Sequence, residues 1–179
     1  MMMRLLFISL VLFVVACKNV PRSTNVDVAN KFIDAFYSFD HDALDSVLDH
    51  AQGSKPDILY YQGWAECAHY KVMKRGTFIQ KNDSLLLCPI TVKDDLMGAL
   101  EIDFNVTDTF HVTIIDGRIR SVKTSSNDTD TYYAAKDWVK QNRPEYVEKQ
   151  CEGIWEGGPT PCDCVLGMIK GFKEFTEAK

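Results

Sequence analysis

The sequence predicts an α+β fold in which N-terminal helices pack on an antiparallel sheet and a further helical segment follows at the C-terminus. Three observations carry this prediction. Apolar residues recur at three- and four-residue spacing over residues 26–72, which is typical of amphipathic helices. From Gly76 onward the apolar period is two, and turn residues separate short runs, which indicates strands. Beyond Asn127 the helical spacing returns.

Residues 1–16 are predicted to be a signal peptide. One cation, Arg4, precedes an apolar run over residues 5–16, which is shorter than the roughly 20 residues that a helix needs to cross a bilayer. Such a run is typical of a targeting segment that is removed from the mature protein.

Cys17 decides how the mature chain begins. The stretch Val14-Val15-Ala16-Cys17 is similar to the lipobox of bacterial lipoproteins, and it lacks the polar stretch that precedes an ordinary cleavage site. We therefore expect Cys17 to be lipidated and residues 17–25 to form a linker. The protein would then bind the membrane through this lipid anchor. The expected location is the bacterial outer membrane, facing the periplasm. A secreted soluble protein is the alternative.

The composition excludes some partners. The sequence of 179 residues has a formal net charge of −5, and its basic clusters do not exceed the pair Lys74-Arg75. We therefore expect no nucleic-acid partner. The sequence contains no His-x-His pair, Ser-His-Asp pattern or glycine-rich phosphate loop, so no metal or other cofactor is expected.

Three helices are predicted before the sheet. The first begins at Val26, and Asp40 is placed to cap the second, which ends before Gly53 and Pro56. The third spans residues 57–74. Its apolar stripe consists of Ile58, Tyr61, Trp64, Ala65, Ala68 and Val72.

Five strands are predicted to follow as an antiparallel meander. Their ranges are residues 77–80, 85–92, 97–106, 110–115 and 118–124. Thr107-Asp108 is interpreted as a turn, and Asp116-Gly117 is a strong signal for a two-residue hairpin. Alternation of apolar and polar residues from Leu100 to Val106 predicts one face on the helices and one in water.

Two helices are predicted after the sheet. One starts near Tyr132 and stops at Arg143-Pro144, and the last begins at Pro161, with Thr160 as its N-cap. The buried side of the last helix is predicted to consist of Val165, Met168, Ile169, Phe172 and Phe175.

The order of these elements resembles that of the nuclear-transport-factor-2-like superfamily, which includes SnoaL-like proteins. The likeness covers residues 26–124 and includes two short motifs, the helix turn in FYSFDHDALDSVL and the hairpin in FHVTIIDGRIRSVKT. It implies a domain over residues 26–127, in which helices and a strongly curved sheet form a cone-shaped, cystatin-like α+β roll. Residues 128–179 are then a C-terminal helical appendage.

In this superfamily the open end of the cone is commonly a ligand pocket. We therefore expect a small apolar ligand or a protein partner to bind without catalysis. The alternative is a SnoaL-like isomerase, dehydratase or hydrolase that acts on a hydrophobic small molecule.

The steroid isomerases of the superfamily imply a sharper test. They use a tyrosine eight residues before the aspartate of the helix turn, where this chain has Phe32, and a second acid near the position of Thr109 and Phe110. These side chains cannot stabilise an enolate by hydrogen bonding, so that mechanism is not expected and no catalytic residue is assigned.

Four side chains are the candidates for the pocket. Phe36, Tyr61 and Trp64 lie on predicted apolar stripes, where packing in the core is the competing interpretation. His69 lies near the expected mouth of the cone, where a histidine hydrogen-bonded at the helix edge is the competing interpretation. The sequence leaves the oligomeric state open, a dimer included.

Five cysteines lie beyond the anchor, and in an envelope compartment thiols pair more often than they bind metal. We expect a disulfide between Cys67 and Cys88, which would close a loop of about 20 residues and contribute about 3 kcal/mol. Cys151 is within reach of Cys162 or Cys164. Pairing with Cys164 is favoured, and it leaves Cys162 free near a helix N-terminus.

Overall fold

The computed structural model describes residues 24–152 and 162–178. The predicted signal peptide, Cys17 and the predicted helix start at Pro161 lie outside the described residues. The helices are α1 (Asn25–Tyr37), α2 (His41–Val47), α3 (Lys55–Cys67), α4 (Asp95–Ala99), α5 (Asp130–Asn142), α6 (Pro144–Val147) and α7 (Cys162–Glu177). The strands are β1 (Lys71–Arg75), β2 (Ile79–Gln80), β3 (Leu85–Lys93), β4 (Val106–Ile115) and β5 (Arg118–Ser126).

The described strands form an open antiparallel sheet of five strands. Its order is β1-β3-β4-β5, and the short β2 pairs with β3. The predicted α+β class with an antiparallel sheet is therefore confirmed. The turn between β4 and β5 lies at Asp116-Gly117 as predicted, and both residues have a positive φ, 54° and 71°.

The α1 helix packs on the sheet face that carries the buried residues. Phe32 and Phe36 are fully buried, and their ring centroids lie 5.4 Å and 4.9 Å from that of Phe110 on β4. These edge-on ring contacts pack the helix against the sheet.

The first three helices are also joined by polar contacts. Asp40 caps α2 as predicted, because its side chain accepts a hydrogen bond from the backbone N–H of Ala43. The buried amide of Gln62 on α3 donates to the carbonyls of Ala35 and Phe36 at the end of α1, at 3.0 Å and 2.9 Å. Gln62 therefore holds α3 against α1, and its buried amide group is satisfied by hydrogen bonds.

The third helix is shorter than predicted. It ends at Cys67, and His69 follows with a φ of 52°, which lies outside the right-handed helical region. Residues 71–75 form the edge strand β1, which pairs with the end of β3. Val72, part of the predicted stripe, is 37% exposed. Val72 continues the helical apolar spacing, but the pairing of residues 71–75 with β3 makes this segment a strand.

The predicted strand over residues 97–106 is wrong. Asp94 accepts a hydrogen bond from the backbone N–H of Met97 and caps the short α4 helix, and Glu101 follows its end with a φ of 54°. The predicted turn at Thr107-Asp108 is wrong as well, because both residues belong to β4. Asp108 consequently lies on the buried face of the sheet.

The α7 helix connects the C-terminal helices to the rest of the core. It packs on α3, α4, α5 and α6, and its buried side contains the predicted residues. Gly171 permits close approach to α5, because an added Cβ would lie 2.4 Å from Cγ2 of Val139. The boundary expected after residue 127 stays a prediction. Among the described helices, none has the length and apolar character needed to cross a bilayer.

Two disulfides connect α7 to other elements. Cys151 pairs with Cys164 as predicted, at a Cα–Cα distance of 4.8 Å. The predicted bond between Cys67 and Cys88 is wrong, because Cys67 pairs with Cys162 at a Cα–Cα distance of 5.2 Å. Cys88 is a buried free cysteine of β3, where burial raises its pKa to about 12. The return of α7 to the end of α3 brings Cys162 next to Cys67.

Candidate functional site

A cavity of about 990 Å³ lies between α3, the inner face of the sheet and the C-terminal helices. Its lining combines apolar and polar side chains. The apolar part includes Ile58, Trp64, Leu96, Met97, Val122 and Met168. The polar part includes Asp94, Asp108, Asp128, Tyr61, Tyr70 and Tyr132. This combination can hold a small amphipathic molecule in a fixed orientation.

Asp108 is the most unusual residue of the lining. It follows Val106 on the inner face of β4, and it is 1% exposed. Within the described residues, its Oδ2 atom has no hydrogen-bond partner. A buried carboxylate oxygen without a partner is costly, because it has lost its water and gained no donor in exchange.

Burial raises the pKa of Asp108 to about 7. The nearby hydroxyl of Tyr61 partly opposes this rise in the pKa, while the charges of Asp128 and Asp94 add to it. Near neutral pH, Asp108 is therefore close to half protonated. It is able to accept or to release a proton inside the cavity.

Tyrosine hydroxyls surround this carboxyl. The pKa values of Tyr61, Tyr70 and Tyr132 are raised by burial first, and by nearby acids or tyrosines second, so these hydroxyls stay protonated. The rings of Tyr61 and Tyr70 are neighbours, with ring centroids 6.4 Å apart. Tyr37 on α1 approaches the same carboxyl, and its hydroxyl has no hydrogen-bond partner in the described part of the chain.

Asp57 and Glu148 also line the cavity. Asp94 and Asp128, the two acids whose charges act on Asp108, have structural roles. Asp94 accepts the capping hydrogen bond from Met97 at 2.9 Å, and burial raises its pKa as well. Asp128 accepts a hydrogen bond from the hydroxyl of Ser126 at 2.5 Å. Asp108 thus differs from both, because its buried Oδ2 atom has no hydrogen-bond partner among the residues that the structure describes.

Lysines line the cavity where it meets solvent. Lys123 and Lys140 are exposed, and Lys136 is half-buried on α5. The cavity therefore has an acidic, aromatic inner part and a basic outer part.

The four predicted pocket residues have three different positions. Tyr61 and Trp64 line the cavity. Phe36 lies beneath it in the core, with its ring centroid 5.4 Å from that of Tyr61. The His69 side chain is 72% exposed and lies 2.7 Å from Asp95 outside the lining. A role for these residues in binding stays a prediction.

Sequence reasoning missed Asp108. Its position carries a signal, because Asp108 occurs in the series Val106, Phe110, Val112 and Ile114 at alternate positions of one strand. An acid at an apolar position of such a series is expected on the buried face. Tyr70, Asp94 and Tyr132 were not singled out either, since packing of separate elements brings them together.

The likeness to known proteins was tested in three ways. A scan of protein-family models finds none that matches this chain, and searches of curated proteins and of solved structures likewise find no match.

Proposed function

We propose that this protein binds a small amphipathic molecule in the cavity between α3, the sheet and the C-terminal helices. The observation that carries this proposal is the buried Oδ2 atom of Asp108, which lies in the wall of a cavity of about 990 Å³ and has no hydrogen-bond partner among residues 24–152 and 162–178. Cavities of roughly 300–1,000 Å³ with a few converging polar groups are typical ligand sites. A donor group of the ligand would satisfy this oxygen, and its apolar part would contact Ile58, Trp64 and Met168.

Native mass spectrometry of the gently purified protein tests this proposal. We expect a bound molecule that is lost in a Thr124→Trp variant, because Thr124 is an exposed residue of the cavity lining where an indole would occupy the space. Thr77→Trp is the matched control, since Thr77 is equally exposed and lies outside the lining. The proposal fails if the wild-type protein carries no molecule and no compound of a small-molecule library raises its melting temperature.

An enzyme is the second candidate, and the pKa of Asp108 near 7 favours it. A carboxylate with such a pKa can remove a proton from carbon next to a carbonyl, while the hydroxyl of Tyr61 or Tyr70 donates to the carbonyl oxygen. This chemistry would suit the SnoaL-like isomerase class. Deuterium exchange into a panel of hydrophobic ketones tests it. Exchange catalysed by the wild-type protein and equally by Asp108→Asn would refute a role for this carboxyl.

We further propose that the domain is a cone-shaped roll of the nuclear-transport-factor-2-like type. The order of helices before an antiparallel meander and a cavity against the inner face of the sheet support this proposal. A crystal structure of the protein with a flat sheet would contradict it.

The binding protein is proposed to act at the cell envelope, tethered to the outer membrane by lipid on Cys17. The lipobox-like stretch that ends at Cys17 supports this proposal. A Cys17→Ser variant should leave the membrane fraction for the soluble fraction, as fractionation and the mass of the mature N-terminus will show. Unchanged membrane attachment would refute it.

A further inference from the structure

We propose that the ligand of this cavity is an organic cation, whose ammonium group lies against Asp108 and the rings of Tyr61 and Tyr70. This inference rests on the proposed ligand-binding function, and it names the chemical class of the ligand. It follows from the charges, the rings and the size of the cavity together.

The inner part of the cavity is negatively charged. Three acids of the lining, Asp94, Asp108 and Asp128, lie within electrostatic reach of one another. Burial and the charges of Asp128 and Asp94 raise the pKa of Asp108, and burial and the charge of Asp128 raise the pKa of Asp94. Asp94 and Asp128 have backbone or side-chain donors of their own, whereas Oδ2 of Asp108 has none in the described residues. A cation would satisfy this oxygen and favour the ionised carboxylate at the same time.

Aromatic rings complete the site. Tyr61 and Tyr70 meet edge to face at an interplanar angle of 88°, and Trp64 and Tyr132 also line the cavity. The faces of such rings carry negative charge density and attract ammonium groups, quaternary ones in particular. A cavity of about 990 Å³ leaves room for an alkyl or aryl part beside Ile58 and Met168, which a bare metal ion would not fill.

The groups that face Asp108 come from several elements. Tyr37 approaches from α1, Tyr61 from α3, Tyr70 from the segment after it, and Asp94 and Asp128 from the segments before α4 and α5. Two lysines of the lining, Lys123 and Lys140, are exposed on the solvent side, and Lys136 on α5 is half-buried. An ammonium ligand would therefore enter with its charged group first and leave its other end near these lysines.

The test compares three probes by isothermal titration calorimetry on the purified protein. They are octyltrimethylammonium, its neutral isostere with carbon in place of nitrogen, and octanoate. We expect the ammonium probe to bind about tenfold tighter than the neutral isostere. Asp108→Asn should abolish this preference, and Asp103→Asn should keep it, because Asp103 is an exposed aspartate outside the lining. Because the probe does not titrate, its affinity should rise as pH increases through the pKa of Asp108 near 7.

The outcomes separate this inference from the proposed function. If the neutral isostere binds as tightly as the ammonium probe, the cavity binds ligands but the cation inference is wrong. If the preference persists in Asp108→Asn, the cation lies elsewhere and the inference is wrong. If calcium or magnesium chloride displaces the ammonium probe at equal concentration, the site is a metal site. If no probe binds and native mass spectrometry detects no ligand, both proposals fail.

Discussion

The interior of this protein has two regions that differ in how they are held together. The apolar region, defined by Phe32, Phe36 and Phe110, consists of fully buried rings in mutual contact between α1 and the sheet. The cavity region, defined by the lining of the large cavity, contains about 990 Å³ of open volume and a carboxylate oxygen of Asp108 that has no partner in the described part of the chain. Close packing stabilises the first region, and the second forgoes it.

The disulfides lie at the cavity region. Cys151 and Cys164 are part of its lining, and Cys67 and Cys162 join the end of α3 to the start of α7. Covalent links thus hold in place the helices that surround the cavity, where dispersion contacts across the open volume are absent. The disulfides thus preserve the shape of a site that contains open volume and a buried carboxyl group.

Removal of the disulfide between Cys67 and Cys162 should have the largest effect on stability. Its sequence separation is 95 residues, for which the chain-entropy model gives about 5 kcal/mol. The separation between Cys151 and Cys164 is 13 residues, for which the same model gives about 3 kcal/mol. Urea unfolding should therefore show a greater loss for Cys67→Ala/Cys162→Ala than for Cys151→Ala/Cys164→Ala.

Cys88→Ala is the control for the loss of a cysteine side chain without loss of a disulfide. Because Cys88 is fully buried, a loss of about 1 kcal/mol is expected from packing alone. Equal losses in both double variants would show that loop length does not set the contribution of either bond.

Replacing an aromatic ring by alanine should destabilise the protein more in the apolar region than in the cavity region. Phe32→Ala in the apolar region should cost about 3–5 kcal/mol, because it opens a void in a packed core. Trp64→Ala should cost about 1–2 kcal/mol, because this half-buried ring already faces open volume. Denaturant midpoints at equal m-values measure both. A loss in Trp64→Ala as great as that in Phe32→Ala would show that the cavity region is packed as closely as the apolar region.

The two regions also differ in how far the sequence predicts them. Local signals suffice for the apolar region and its flanks: the stripe of α1, the Asp40 cap and the Asp116-Gly117 turn are each encoded within a few residues. The cavity region depends on distant contacts. Thr107-Asp108 has turn composition, yet pairing on both sides makes it part of β4.

The disulfides show the same limit. Cys67 and Cys88 are close in sequence, but Cys162 reaches Cys67 because α7 folds back on α3, which spacing alone does not reveal. Tyr61 and Trp64 were predictable as candidates, since their helix is evident from its spacing. Asp108 lies in the same cavity and required the register of the sheet.

Neutralisation of Asp108 should stabilise the protein at neutral pH, in contrast to the losses above. The pKa of Asp108 in the folded protein, about 7, lies above the ordinary value of 3.8 that is expected in the unfolded chain. Ionisation of this carboxyl therefore disfavours the folded state. The free energy of unfolding of the wild-type protein should fall as pH rises from about 4 to 7, because Asp108 ionises more readily in the unfolded chain. The Asp108→Asn variant should lack this contribution to the fall. We expect a gain of about 4 kcal/mol above pH 7 and almost none near pH 4, measured by urea unfolding across this range.

Asp103→Asn removes the same charge at an exposed position and should change stability by less than about 0.5 kcal/mol at every pH. If Asp108→Asn destabilises the protein at neutral pH, the carboxylate is held by donors and the cavity region does not carry the cost inferred for it. If Asp108→Asn is more stable than the wild-type protein but no longer binds ligand, Asp108 serves binding at the expense of stability.

The smallest effect compares two helix caps, one beside the cavity region and one at the surface. Asp40 on α2 is exposed, and Asp40→Ala should cost about 1 kcal/mol through loss of the hydrogen bond to Ala43. Asp94→Ala loses the equivalent bond to Met97, but it also removes a buried carboxyl whose pKa burial raises above 3.8. Because the folded pKa of Asp94 lies above that of the unfolded chain, the cost of ionising Asp94 develops as pH rises between these two pKa values, so the net loss in Asp94→Ala should be smaller near pH 7 than near pH 4. Urea unfolding at about pH 4 and 7 measures the difference. Equal losses for the two variants at both pH values would mean that burial does not disfavour the ionised form of Asp94, and that Asp94 caps its helix at no greater cost than Asp40 does.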